Sequence, residues 1–166
     1  MKIGLKITTF ALNSLLTLTG VYLGYEFGIF YLFPIFFSIG TPIINVKGDI
    51  WLKLKIASII TISVTAILLI TVGASFSFGF ILVAVFLSGL AGGLTLWIFS
   101  LLIENVKPNW VLFCGTVIFC MAPLVMADEL LNSSSYSRDF IINFAILWTW
   151  SLLISAAISL SLKRHL

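Results

Sequence analysis

Residues able to do chemistry are few and scattered in this chain. The single histidine, His165, stands next to last, so neither a Ser-His pair nor a histidine-bearing metal site can be assembled inside a fold. Cys114 and Cys120 in "CGTVIFC" lie six positions apart, which on a helix turns them about 120° away from each other. They read as two buried free thiols, not as a disulfide or a metal clasp. No apolar run carries paired aspartates for general acid-base work, and no glycine-rich loop precedes a lysine as phosphate binding would require. A non-enzymatic protein with no metal and no cofactor is the expectation.

One carboxylate remains conspicuous. Glu26 sits within "GYEFGIFYLFPIFF", residues 24–37, a run otherwise aliphatic and aromatic. A charge at the centre of a bilayer costs several kcal/mol, whereas Gly24 and Gly28 on either side permit a tight turn. Tyr22, Tyr25 and Tyr31 flank it as interfacial aromatics do. The sequence therefore puts Glu26 at a solvated hairpin tip, where its functional alternative is to attract cations at a pore mouth.

The elements that must position these residues follow from charge spacing. The chain has 166 residues, 61% hydrophobic and 9% charged, with a mean hydropathy of +1.21; a soluble domain carries about a quarter charged residues. A spanning helix needs about 20 apolar residues. Charges and turn residues cut the sequence into six such runs, at 7–25, 27–46, 56–72, 76–103, 109–127 and 140–162. The small and polar "GASFSFG" at 73–79 supplies the turn between the third and fourth. The charged, apolar N-terminus reads as a retained first helix, because no polar mature segment follows it. The expected fold is a single all-α membrane domain, a polytopic bundle of six transmembrane helices.

Basic residues collect in cytoplasmic loops. With the N-terminus inside, Lys2, Lys6, Lys47, Lys53, Lys55, Lys107, Lys163 and Arg164 fall on the inner side and Arg138 alone on the outer. Both termini are thus expected in the cytoplasm, and the protein in a bacterial inner membrane. This scatter of single charges argues against direct nucleic-acid binding.

Two inner loops resemble each other. "NVKGDIWLKLK" offers Asp49 as a helix cap and Trp51 as an interfacial anchor, and "NVKPNW" at 105–110 repeats its opening. A repeated helical hairpin and convergent interface chemistry explain this equally well. The polar outer segment "DELLNSSSYSRD", 128–139, carries Asp128, Glu129, Arg138 and Asp139 and the acceptor pattern at Asn132. It is the candidate for an external ligand or partner.

Small and polar residues form helix faces. Thr9, Asn13, Thr17, Gly20, Gly24 and Gly28 make one stripe; Ser88, Gly89, Gly92 and Gly93 a second; Ser151, Ser155 and Ser159, with Asn143, a third. Such faces let backbones approach closely, within one chain or between copies. Trp148 and Trp150 lie mid-run and need partners for their indole N–H groups. Pro34, Pro42 and Pro123 can kink their helices.

These features favour a self-associating membrane scaffold or sensor subunit, a homo-oligomer whose lysines at 47, 53, 55 and 107 dock a soluble cytoplasmic protein. Membrane components of bacterial toxin-immunity or anti-phage systems have this build. A homo-oligomeric channel, with Glu26 near its mouth, and the membrane subunit of a small-molecule importer are the alternatives.

Overall fold

The computed structural model describes residues 3–29, 32–78, 81–126 and 141–163. The predicted outer loop at 128–139 lies outside the described residues, as do Lys2, Tyr31, Arg164, His165 and the side chain of Asn143.

The described chain is helical. Helix α1 is Ile3–Phe27, α2 Leu32–Asn45, α3 Ile50–Phe78, α4 Ile81–Leu102 and α5 Trp110–Phe119; a π-helical segment, Ile141–Trp148, runs into α6, Thr149–Ser161. Three stretches, Ile3–Phe27, Ile50–Ala74 and Leu82–Leu102, are long and apolar enough to cross a membrane. Leu32–Asn45, Trp110–Met126 and Ile146–Ser161 are shorter apolar helices.

Local chemistry sets where these helices stop. Gly28 takes φ +68, a left-handed conformation that costs glycine little, and Ile29 N–H reaches back to Gly24 O at 2.9 Å. That pairing closes the last turn of α1. Glu26 is exposed beside it, at the tip between α1 and α2. Pro123 has no N–H, and its ring excludes the carbonyl four residues earlier. Helix α5 accordingly ends at Phe119, and the chain turns at Cys120 and Met121 before resuming.

One boundary departs from the sequence reading. The expected turn at 73–79 is helix through Phe78, and α3 begins six residues ahead of the predicted 56, at Ile50. Glycine and serine do not break a helix whose surroundings offer the backbone no other partners. The connection to α4 falls after Phe78.

Each helix packs on the next, and α6 returns to α1, closing a ring; α4 also meets α6. Aromatic rings fill the middle. Phe37 of α2 meets Phe99 of α4 edge-on at 5.6 Å, and Trp150 of α6 lies 6.5 Å from both Phe33 and Phe37. Trp150 donates its indole N–H to Ser88 O at 3.2 Å, and Ser88 donates its hydroxyl to Cys120 O at 2.8 Å. The Trp148 indole nitrogen is buried without a partner among the described residues.

Small polar residues share the interior with the apolar core, and large aliphatic side chains face outward. Thr9, Asn13, Thr17, Thr41, Thr95, Ser151 and Ser155 are fully buried, while Ile62, Ile70, Leu82 and Val111 are at least 70% exposed. Apart from exposed Gly28, the described residues of all three small-residue faces turn inward. Asn13 Nδ2 donates to Thr41 Oγ1 at 2.6 Å across the α1–α2 contact. A Cβ on Gly20 would come within 2.8 Å of Phe36, and one on Gly92 within 2.5 Å of Cys120 Sγ. Gly89 and Gly93 face Val117 and its neighbours on α5 in the same way.

Gly92→Ala should therefore lower stability by about 1–3 kcal/mol, the usual cost of overpacking. Thermal unfolding in detergent reads this directly. Gly73→Ala, with nothing within 4 Å of its added carbon, should be neutral or slightly stabilising, and Cys120→Ala should recover part of the Gly92→Ala loss.

Candidate functional site

Hydrogen bonds at one end of the bundle join loops far apart in sequence. Asn45, at the end of α2, donates its amide to Thr9 Oγ1 at 3.2 Å and to Thr41 O at 3.1 Å. Its own carbonyl accepts from Asn105 Nδ2 at 3.3 Å. Asn105 O accepts from Lys163 N–H, and Lys107 N–H donates to Ser161 O, both at 2.9 Å. Those two bonds pair Val106 with Leu162 as an isolated antiparallel bridge, and both side chains are buried.

The ends of α2, α4 and α6 thus meet. Their residues align as Asn45-Val46-Lys47, Asn105-Val106-Lys107 and Ser161-Leu162-Lys163, each a polar residue, an apolar residue and a lysine. The first two phrases agree further. Asp49 Oδ1 accepts from Leu52 N–H at 2.9 Å and opens α3; Asn109 Oδ1 accepts from Leu112 N–H at 2.8 Å and opens α5. Equivalent positions, Asn-Val-Lys-Gly-Asp-x-x-Leu and Asn-Val-Lys-Pro-Asn-x-x-Leu, do equivalent work. The resemblance between the two loops therefore extends to their geometry.

Lysines at this end divide into two groups. Lys6 donates to Leu160 O, and Lys53 to Ile43 O, each at 3.0 Å. Both satisfy carbonyls in the last turn of a helix, where a cation also offsets the helix dipole. Lys47, Lys55, Lys107 and Lys163 are exposed. Of the four lysines expected to dock a partner, Lys53 is thus held within the fold and Lys47, Lys55 and Lys107 face outward. Between the first two phrases lies a cleft of about 190 Å³ lined by Asn45, Lys47, Glu104 and Asn105 among others. Asn45 Oδ1 is buried without a partner.

The remaining predicted residues lie elsewhere. Glu26 is on the tip between α1 and α2, apart from the lysines. Thr9, Asn13, Thr17, Gly20 and Gly24, then Ser88, Gly89, Gly92 and Gly93, then Ser151, Ser155 and Ser159, are all buried in a single chain. In one chain these faces are occupied by neighbouring helices. At the end away from the lysines, a cavity of about 360 Å³ lies among α3, α4, α6 and the segment after α5, lined by Leu68, Ser88, Ala91, Leu124, Leu147 and Trp150 with four other residues. Among the described residues no group of three His, Cys, Asp or Glu could hold a metal ion.

Neither a protein family, nor a curated protein, nor a solved structure matches this chain.

The third phrase, Ser161-Leu162-Lys163, escaped the sequence reading because it shares only lysine with the other two. Its signal was the order polar, apolar, lysine at a helix end.

Asn45→Ala should cost about 1–3 kcal/mol, since it leaves the buried Thr9 hydroxyl without its donor. A double-mutant cycle with Thr9→Val, read by thermal unfolding, should return a coupling of about 0.6 kcal/mol, the average for hydrogen bonds between membrane helices. Lys55→Gln should stay within about 0.5 kcal/mol of the parent.

Proposed function

We propose that this chain crosses the bilayer six times with both termini in the cytoplasm, and serves as a non-enzymatic membrane subunit that holds a soluble partner against its basic end. The observation that carries this reading is the junction of the α2, α4 and α6 ends. Asn105 to Asn45, and Val106 to Leu162, tie three separate segments together, so that Lys47, Lys107 and Lys163 project from one braced surface.

Membrane insertion is supported by the exposed aliphatic surface and the buried polar contacts. Side chains such as Ile62 and Leu82, 70% and 79% exposed, lose nothing in hydrocarbon, whereas the Asn13–Thr41 bond satisfies polar groups that lipid could not. The six-span arrangement is supported by the alternation of helix ends. The start of α1, the end of α2, the start of α3, the end of α4, the start of α5 and the end of α6 all meet at the lysine-bearing end. Glu26 falls to the other, which fits the charge asymmetry of cytoplasmic loops.

A partner with an acidic face fits four exposed ammonium groups, three on the braced connections and Lys55 on the first turns of α3. Electrostatic complementarity of this kind chiefly steers encounter and falls with salt. If a second copy also binds, it must seat on the apolar outer surface.

The cavity at the other end favours a second reading, a membrane subunit that takes up a small apolar molecule. Its walls are nearly all aliphatic, with Ser88 and Thr71 the hydroxyl residues among them.

Topology is checked by cysteines introduced at positions 26 and 107 in a Cys114→Ser background. A membrane-impermeant thiol reagent added outside intact cells should label position 26 only; labelling at 107 would reject the arrangement. The combined Lys47→Gln, Lys55→Gln and Lys107→Gln variant should keep the parent's unfolding temperature and lose its co-purifying cytoplasmic protein. Unchanged recovery of that protein at physiological salt would remove the docking role.

A further inference from the structure

A groove of about 300 Å³ runs between the last turns of α4 and the first turn of α5, lined by Trp97, Ser100, Pro108, Asn109, Trp110 and Phe113. Phe113 stands at its centre and meets Trp97 edge-on at 6.3 Å and Trp110 at 5.8 Å. Phe113 also packs against Gly93, its ring 3.3 Å from where a Cβ would stand. The aromatic walls are therefore fixed by the same close approach that joins α4 to α5.

Several donors in this groove are left over. Asn109 Oδ1 is engaged by Leu112 N–H, and the Ser100 hydroxyl donates to Trp97 O at 2.7 Å. The indole N–H groups of Trp97 and Trp110 and the amide nitrogen of Asn109 have no partner among the described residues. Lys107 directly precedes Pro108 in the chain and is exposed, and no acidic residue lines the groove. A ligand suited to it carries hydrogen-bond acceptors and negative charge at one end and apolar chains at the other. Its position, at the lysine-bearing end where the apolar outer surface gives way to the loops, is the depth of lipid headgroups.

We infer that this groove binds one anionic phospholipid. The phosphate and ester oxygens accept from the two indoles, the Asn109 amide and the Lys107 ammonium, and the acyl chains descend along the exposed faces of α4 and α5. Indole N–H groups at a bilayer interface have their rings in apolar surroundings and their donors at the headgroups, and a basic residue near an anionic surface strengthens binding about fivefold. The inference does not rest on any cytoplasmic partner.

The test uses the purified full chain and native mass spectrometry, with phosphatidylglycerol, phosphatidylcholine and diacylglycerol of identical acyl chains offered separately, and inorganic phosphate offered alone. One phosphatidylglycerol should be retained per chain, about fivefold or more over phosphatidylcholine, and diacylglycerol should be lost. Trp97→Phe with Trp110→Phe keeps the edge-on rings and removes both N–H groups; Asn109→Asp keeps the cap on Leu112 and removes the amide donor. Each of these, and Lys107→Gln, should reduce retention about fivefold while Ile62→Ala leaves it unchanged. Equal retention of the three lipids, retention of inorganic phosphate in place of lipid, unaltered retention in the folded variants, or a dimer abolished by Trp110→Phe would each overturn the assignment.

Discussion

The structure depends on the hydrogen bond between Asn13 and Thr41 and on the glycines that let such contacts form. In water a buried asparagine can trade its partner for solvent at modest cost. In hydrocarbon, the setting proposed above for this chain, that exchange is closed, and the helices carrying Thr9, Asn13, Thr41 and Asn45 would have to find one another. Attraction between helices in lipid comes from van der Waals packing and interhelical hydrogen bonds, since acyl chains are as apolar as leucine. In that setting α1 would give its polar stripe to α2, and Gly89, Gly92 and Gly93 would bring α4 onto α5, as observed. The same setting would leave large aliphatic side chains without protein neighbours on the outer surface.

A consequence is that the polar stripes do not line a water-filled path in one chain. Thr9, Asn13 and Thr17 are occupied by α2, and Ser88 holds both Trp150 and the Cys120 carbonyl. A pore built on these residues would have to dismantle the contacts that stabilise the fold. The basic end carries a different logic. Lys6 and Lys53 satisfy carbonyls that the ends of α6 and α2 leave open, which makes them part of the fold, while Lys47, Lys55, Lys107 and Lys163 are held outward on segments tied to one another.

Much of this was legible in the residues. Helical structure, apolar runs, the turn at Glu26 and Gly28, the cap at Asp49 and the need for a partner at Trp150 all follow from single positions with one dominant physical requirement. Helix boundaries inside long apolar stretches were not legible. Gly73, Ser75 and Ser77 punctuate a soluble sequence, yet in apolar surroundings a helix is the cheapest way to satisfy their backbone groups, so α3 continues through them. Whether a small-residue face meets its own chain or a copy was not legible either, because Gly92 looks the same in both cases. Only the position of Cys120 against it decides. The meeting of Asn45 with Asn105, and of Val106 with Leu162, joins positions about 60 residues apart and left only the repeated Asn-Val-Lys as a trace.

The two ends of the bundle differ in kind. At the lysine-bearing end, bonds from Lys6, Lys53, Asn105, Lys107 and Lys163 cross between segments and satisfy the backbone where helices stop. At the other end the helices are irregular: the chain is π-helical from Ile141 to Trp148, α5 is interrupted ahead of Pro123, the Trp148 indole lacks a partner among the described residues, and the cavity against Leu68 and Trp150 leaves side chains underpacked. Departures of this sort from regular helix concentrate at functional sites, and each missing contact lowers the local cost of rearrangement. A ligand entering the cavity would contact α6 through Trp150, and α6 is the helix whose far end carries Leu162 and Lys163 into the braced junction. Helix α6 is therefore the element common to both ends, lining the cavity through Trp150 and entering the junction through Ser161 and Leu162.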